Sequence, residues 1–124
     1  MDDMANVILL VVLITITAVS GFCPKGCQCD DIGLTVECSN TSLDVLPIAL
    51  NMDIKHIKMS HNKIKIVDAS FQFYEHLVSI DLSHNIITDV EDKSFAAQNN
   101  LQKLSLGGNR ISSLSSEVGN IGSW

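Results

Sequence analysis

The sequence predicts an α/β-type repeat solenoid: a short coil with a parallel sheet on its concave side, a mostly irregular convex side and a disulfide-bonded cap at its front. Three observations predict it. The stretch "KMSHNKI" at Lys58–Ile64 returns 23 residues later as "DLSHNII" at Asp81–Ile87. Apolar residues keep one register over three successive stretches, and Asn keeps another. All four cysteines are gathered into Cys23–Cys38, ahead of the first repeat.

The start of the chain is unlike the rest. At 124 residues there is room for one domain. From Val7 to Val19 nothing is charged, and only Thr15 and Thr17 are polar. As a helix this run covers about 20 Å, short of the roughly 30 Å hydrocarbon core of a bilayer. Small residues stand at Ala18, Ser20 and Gly21, the layout of a secretory signal with its cleavage site. Residues 1–21 are therefore read as a signal peptide, and the protein as secreted or extracellular. Asp2 and Asp3 lie where such a segment usually has Lys or Arg, so the alternative is a chain membrane-anchored by an uncleaved amino-terminal segment. Removing residues 1–21 leaves 12 acidic against 8 basic residues, with one arginine, Arg110, and no basic run. That balance excludes nucleic acid as a partner.

Residues 22–53 form the predicted cap. An even number of cysteines in an exported chain implies disulfides, and four cysteines allow three pairings. Zinc fits poorly, because Cys27 and Cys29 are separated by one residue and no His lies nearby.

The repeats begin at Ile54, Leu77 and Leu101, in steps of 23 and 24 residues. Repeat 1 is 54–76, repeat 2 is 77–100, and 101–124 holds repeat 3 with an uncapped carboxy terminus. Aliphatic residues or Met fill the first, fourth, sixth, eleventh and fourteenth places of all three, and Asn62, Asn85 and Asn109 fill the ninth. This is the leucine-rich repeat pattern LxxLxLxxNxL. In the strand of repeat 1, alternation turns Ile57 and Met59 inward and His56, Lys58 and Ser60 outward. The Asn residues form a ladder at the bend, since an amide supplies donor and acceptor together. On the return side Phe71, Tyr74 and Phe95 lead to the next repeat, with Gln98 where an apolar residue is expected. Val118 and Ile121 lead to Trp124.

The spacing Cys23-x3-Cys27-x-Cys29-x8-Cys38, followed by "LPIALNMDIKHIKMSHN", resembles the amino-terminal cap and first repeat of extracellular leucine-rich repeat proteins. That family includes Slit-like, Nogo-receptor-like, small-proteoglycan and Toll-like ectodomain types. The resemblance covers residues 22–124. It implies the disulfides Cys23–Cys29 and Cys27–Cys38, with a cap strand near Leu34–Cys38 joining the sheet edge. It also implies protein binding, often on the concave face, in adhesion, guidance or signalling. Members commonly have more repeats and a carboxy-terminal cysteine cap. This chain therefore reads as apparently truncated: a shortened isoform, an incomplete gene model or a fragment of a longer receptor.

Ser-His-Asn raises the question of a nucleophile and its base. A catalytic pair needs one distinctive site with an orienting acid and an oxyanion donor. Two copies one coil apart, with Gly107-Gly108-Asn109 as the third, read as structural, so no enzymatic activity, cofactor or metal is expected. Asn40-Thr41-Ser42 is an N-x-[ST] site, which makes Asn40 a glycosylation candidate. The concave face is read as His56, Ser79 and Lys103, then Lys58, Asp81 and Ser105, then Ser60, Ser83 and Gly107. Lys58 and Asp81 are expected to pair across ~4.8 Å, for no more than ~1 kcal/mol. No Trp, Tyr or Arg anchors this face, which predicts weak binding. Phe73 falls off the core places.

A solenoid buries its core between neighbouring coils and needs covers at both ends. Leu104, Leu106, Ile111 and Leu114 are expected to leave one flank open, with residues 115–124 as the only cover. That predicts a homodimer through the third repeat, or pairing with another protein. The function read from the sequence is a protein-binding module for an extracellular ligand or receptor. The alternatives are a structural matrix-binding protein, or a non-functional truncated isoform of a longer receptor.

Overall fold

The computed structural model describes residues 22–113. The expectations for residues 1–21, and for Leu114, Val118, Ile121 and Trp124, lie outside them.

Among the described residues there are seven short strands: β1 Gln28–Asp30, β2 Thr35–Glu37, β3 His56–Lys58, β4 Ile66–Val67, β5 Ser79–Asp81, β6 Asp89–Val90 and β7 Lys103–Ser105. The main sheet has the order β1-β2-β3-β5-β7, and β4 pairs with β6 in a second sheet. From β2 onward the main sheet is parallel and in register: Val36, Ile57, Ile80 and Leu104 stand side by side. Each strand of the main sheet is three residues long; in the repeats the inward fourth place sits at its centre and the inward sixth place just beyond its end. Ile57 and Met59 are buried, as are Ile80 and Leu82, and Leu104 and Leu106.

The cap behaves as an incomplete coil. Val36 and Cys38 occupy the inward places that Ile57 and Met59 occupy in the first repeat. Cys38 N–H donates to Lys58 O, as Met59 N–H donates to Asp81 O. Outside β2 lies β1, antiparallel, with Cys29 opposite Val36. The strand order therefore places β1 at the front edge. Two disulfides, Cys23–Cys29 and Cys27–Cys38, hold this hairpin to the coil.

The return side is irregular, with one 3-10 helix, Ala69–Phe73, whose N-cap Asp68 accepts from Ser70 N–H at 2.9 Å. Phe71 is buried and stacks on Phe95 of the next coil at 5.7 Å between ring centroids. Phe73 is 45% exposed. Tyr74 ties repeat to cap: its hydroxyl donates to Pro47 O and accepts from Leu50 N–H, both at 3.1 Å. Tyr74→Phe would strand both groups, and a loss of about 1–3 kcal/mol is expected in urea denaturation. Burial raises the Tyr74 pKa above the ordinary 10.0, while the Leu50 hydrogen bond lowers it. The raised folded-state value gives the sign. Stability from the neutral phenol is complete below about pH 10 and is lost as pH climbs through the folded pKa. The wild-type midpoint should therefore fall more steeply in that window than the midpoint of Tyr74→Phe.

Gln98, where an apolar side chain was expected, is 8% exposed. Its Nε2 donates to Phe71 O at 2.6 Å, but its buried Oε1 has no partner among the described residues. Because Phe71 O also accepts from Tyr74 N–H, that carbonyl keeps a partner without Gln98. Gln98→Leu should raise stability by about 1 kcal/mol, read as a higher denaturation midpoint.

In the third coil Leu104 and Leu106 are 0% and 6% exposed, and Ile111 is half-buried.

Candidate functional site

The exposed face of the main sheet is the candidate site. Its outward residues form two ordered rows across β2, β3, β5 and β7. Thr35, His56, Ser79 and Lys103 make the first; Glu37, Lys58, Asp81 and Ser105 make the second. Just beyond the strands Ser39, Ser60, Ser83 and Gly107 continue the pattern. Lys58, Ser79, Asp81, Lys103 and Ser105 surround a shallow hollow of about 80 Å³, floored by Ile57 and Ile80.

The expected Lys58–Asp81 ion pair does not form, although the two are register partners. Asp81 Oδ1 instead accepts from Ser83 N–H at 3.0 Å and from Ser83 Oγ–H at 2.6 Å. A local bond two residues along the chain fixes fewer side-chain rotamers than a cross-strand pair with a long lysine. It wins because an exposed ion pair is worth at most ~1 kcal/mol.

A Ser–His contact exists, but in a place the repeated triplet did not suggest. His56 Nδ1 lies 2.7 Å from Ser79 Oγ, across β3 and β5. The signal was available in the 23-residue step, which puts these residues side by side in a parallel register. Within the triplets themselves, the hydroxyls are otherwise engaged. Ser60 Oγ faces Ser39 Oγ at 3.2 Å, and Ser83 Oγ is held by Asp81. His61 and His84 stack on each other, with centroids 4.6 Å apart and planes 7° apart. Parallel rings direct their nitrogen lone pairs side by side, so they do not converge on one metal ion. Among the described residues no three His, Cys, Asp or Glu gather as a metal site.

Behind the face, the Asn side chains span successive coils. Asn62 Nδ2 donates to Cys38 O and Met59 O, and Asn62 Oδ1 accepts from Thr41 N–H and Leu43 N–H. Asn85 Nδ2 donates to Met59 O and Leu82 O, and Asn109 Nδ2 to Leu82 O and Leu106 O. In the cap, Thr41 takes the same place, its hydroxyl donating to Cys38 O at 2.7 Å. Sequence alignment of three repeats missed this fourth member because a hydroxyl replaces the amide.

Residues 75–119 match the family model described as leucine rich repeat. The chain is 28% identical over 127 residues to Tsukushi of Rattus norvegicus, covering 93% of this chain and 36% of that protein. It is 35% identical over 102 residues to amphoterin-induced protein 2 of Mus musculus, covering 79% of this chain and 19% of that protein. The crystal structure of human 5T4 (Wnt-activated inhibitory factor 1, trophoblast glycoprotein) superposes with a TM-score of 0.70 at 24% identity. That superposition covers 76% of this chain and 35% of the other. The chain thus spans about a third or less of the proteins it matches. With its parallel in-register strands, its stacked Asn amides and its two front disulfides, the chain is a leucine-rich repeat protein with a cysteine-rich amino-terminal cap.

Proposed function

We propose that this chain is an extracellular protein-binding module, and that a partner protein in cell-surface recognition, adhesion or signalling rests on its concave sheet. One observation carries the reading. On that face Lys58 and Lys103 flank a hollow and form no ion pair among the described residues, while the Asp81 carboxylate between them is bonded to Ser83. Two ammonium groups beside hydroxyls suit carboxylates and backbone carbonyls of a partner. The absence of Trp, Tyr and Arg from the outward rows makes the contact weak and selective by charge. The two disulfides favour an oxidising compartment. Among the described residues no helix is long and apolar enough to cross a membrane. No reaction is proposed for His56 and Ser79, since the nearby Asp81 is engaged with Ser83 rather than with the imidazole.

The full chain, secreted from cultured cells, is to be immobilised and offered receptor ectodomains and matrix proteins. The expected result is a partner whose affinity falls about tenfold or more with Lys58→Ala/Lys103→Ala and is unchanged by Lys65→Ala beside β4. A partner held equally well by both variants would remove the concave-face reading, and retention on collagen alone would favour a structural matrix role.

A further inference from the structure

Four residues in equivalent places, Asn40, His61, His84 and Gly108, share a left-handed backbone, with φ of 57°, 57°, 55° and 70°. They form one column along the rim of the sheet. Asn40 N–H donates to Ser60 O, His61 N–H to Ser83 O, and His84 N–H to Gly107 O. The imidazoles of His61 and His84 stack along this column, at 4.6 Å between centroids, close to the ~4.8 Å strand spacing. Behind His84 the stack is closed by Gly108, where a Cβ would lie 2.5 Å from His84 Nδ1. One coil ahead of His61 the equivalent place is Asn40; both residues are exposed, and Asn40 begins Asn40-Thr41-Ser42.

We infer that Asn40 carries an asparagine-linked glycan whose first N-acetylglucosamine packs on the open face of His61. In the transfer, Asn40 Nδ2 bonds to C1 of the sugar, and the bond from C1 to the diphosphate of a lipid-linked oligosaccharide donor breaks. The lipid diphosphate leaves with the electron pair, and the amide gives up one proton. The partial positive charge of pyranose C–H groups complements the negative face of an aromatic ring. Thr41, the middle residue of the site, faces inward and bonds Cys38 O and Asn62 Oδ1. That anchorage holds Asn40 at the rim, in line with the histidines. The glycan covers the stack and leaves the hollow at Lys58 and Lys103 open, so the inference rests on export of the chain but not on the concave partner.

Full-length protein is collected from culture medium and trimmed enzymatically to a single N-acetylglucosamine. Intact mass is compared with that of Asn40→Gln. Melting temperature and sugar proton shifts are then measured for the wild type and for His61→Asn, which removes the ring and tolerates the left-handed backbone. The expected results are a single sugar lost in Asn40→Gln, upfield sugar protons, and a sugar-dependent gain of about 2 °C or more that vanishes in His61→Asn. Secreted chain without sugar at Asn40, or the same gain in both backgrounds, overturns the inference. Chain found only inside cells without sugar overturns the export reading together with it.

Discussion

Asn62→Leu is expected to cost about 4 kcal/mol, enough to remove most of the stability of a small domain. The side chain is nearly isosteric, so volume is not the cause. The amide is buried at the first bend, where its oxygen accepts from the N–H groups of Thr41 and Leu43 and its nitrogen donates to Cys38 O and Met59 O. Each stranded N–H contributes about 1–3 kcal/mol of loss. The carbonyls suffer less, because Cys38 O keeps the Thr41 hydroxyl and Met59 O keeps Asn85 Nδ2. Asn109→Leu should cost about 1–2 kcal/mol, since Asn109 is only half-buried and its oxygen serves one N–H, that of Ile87. Urea denaturation followed by circular dichroism orders the two. Equal losses at positions 62 and 109 would contradict a ladder whose weight lies at the junction of cap and coil.

Loss of the Cys27–Cys38 bond should be the other large effect, at about 3 kcal/mol for Cys27→Ala/Cys38→Ala. Its sequence separation is 11 residues, and Cys38 is fully buried in a core place equivalent to Met59. Without the bond, the cap hairpin is held against β3 only by the strand ladder and the Asn62 amide, and a truncated Cys38 leaves the front of the core less well filled. The Cys23–Cys29 bond has a separation of 6 and joins two exposed residues at the edge. Cys23→Ala/Cys29→Ala should cost less, about 2 kcal/mol. Guanidinium midpoints of the two double variants test the order, and a larger loss from the outer pair would place the stabilising contacts of the cap elsewhere.

The coil was legible because its core places are local facts repeated at a fixed step. Ile57, Ile80 and Leu104 can be aligned from the sequence, and period-2 alternation then assigns faces. Charge contacts on the outward face were not legible in the same way. Register put Lys58 beside Asp81, but the carboxylate bonded Ser83, a choice between two side-chain rotamers that register does not constrain. The same register placed His56 beside Ser79, while the repeated triplet drew attention to His61 and His84 instead. Strand β1 and the pair β4–β6 were missed altogether. Each has two or three residues, too few to show a period, and each depends on a partner distant in the chain.

By itself the sequence determined the number of coils in phase, the inward places and the bend at each ninth position. A solenoid repeats one set of neighbour contacts, so spacing alone is enough to place them. Tertiary structure decided everything that depends on a side chain choosing between partners. It turned Asp81 to Ser83, stacked His61 on His84 above Gly108, and put Thr41 into the Asn ladder. Those choices are made by competing hydrogen bonds and rotamers a few kcal/mol apart, which become comparable only when the coils are already side by side.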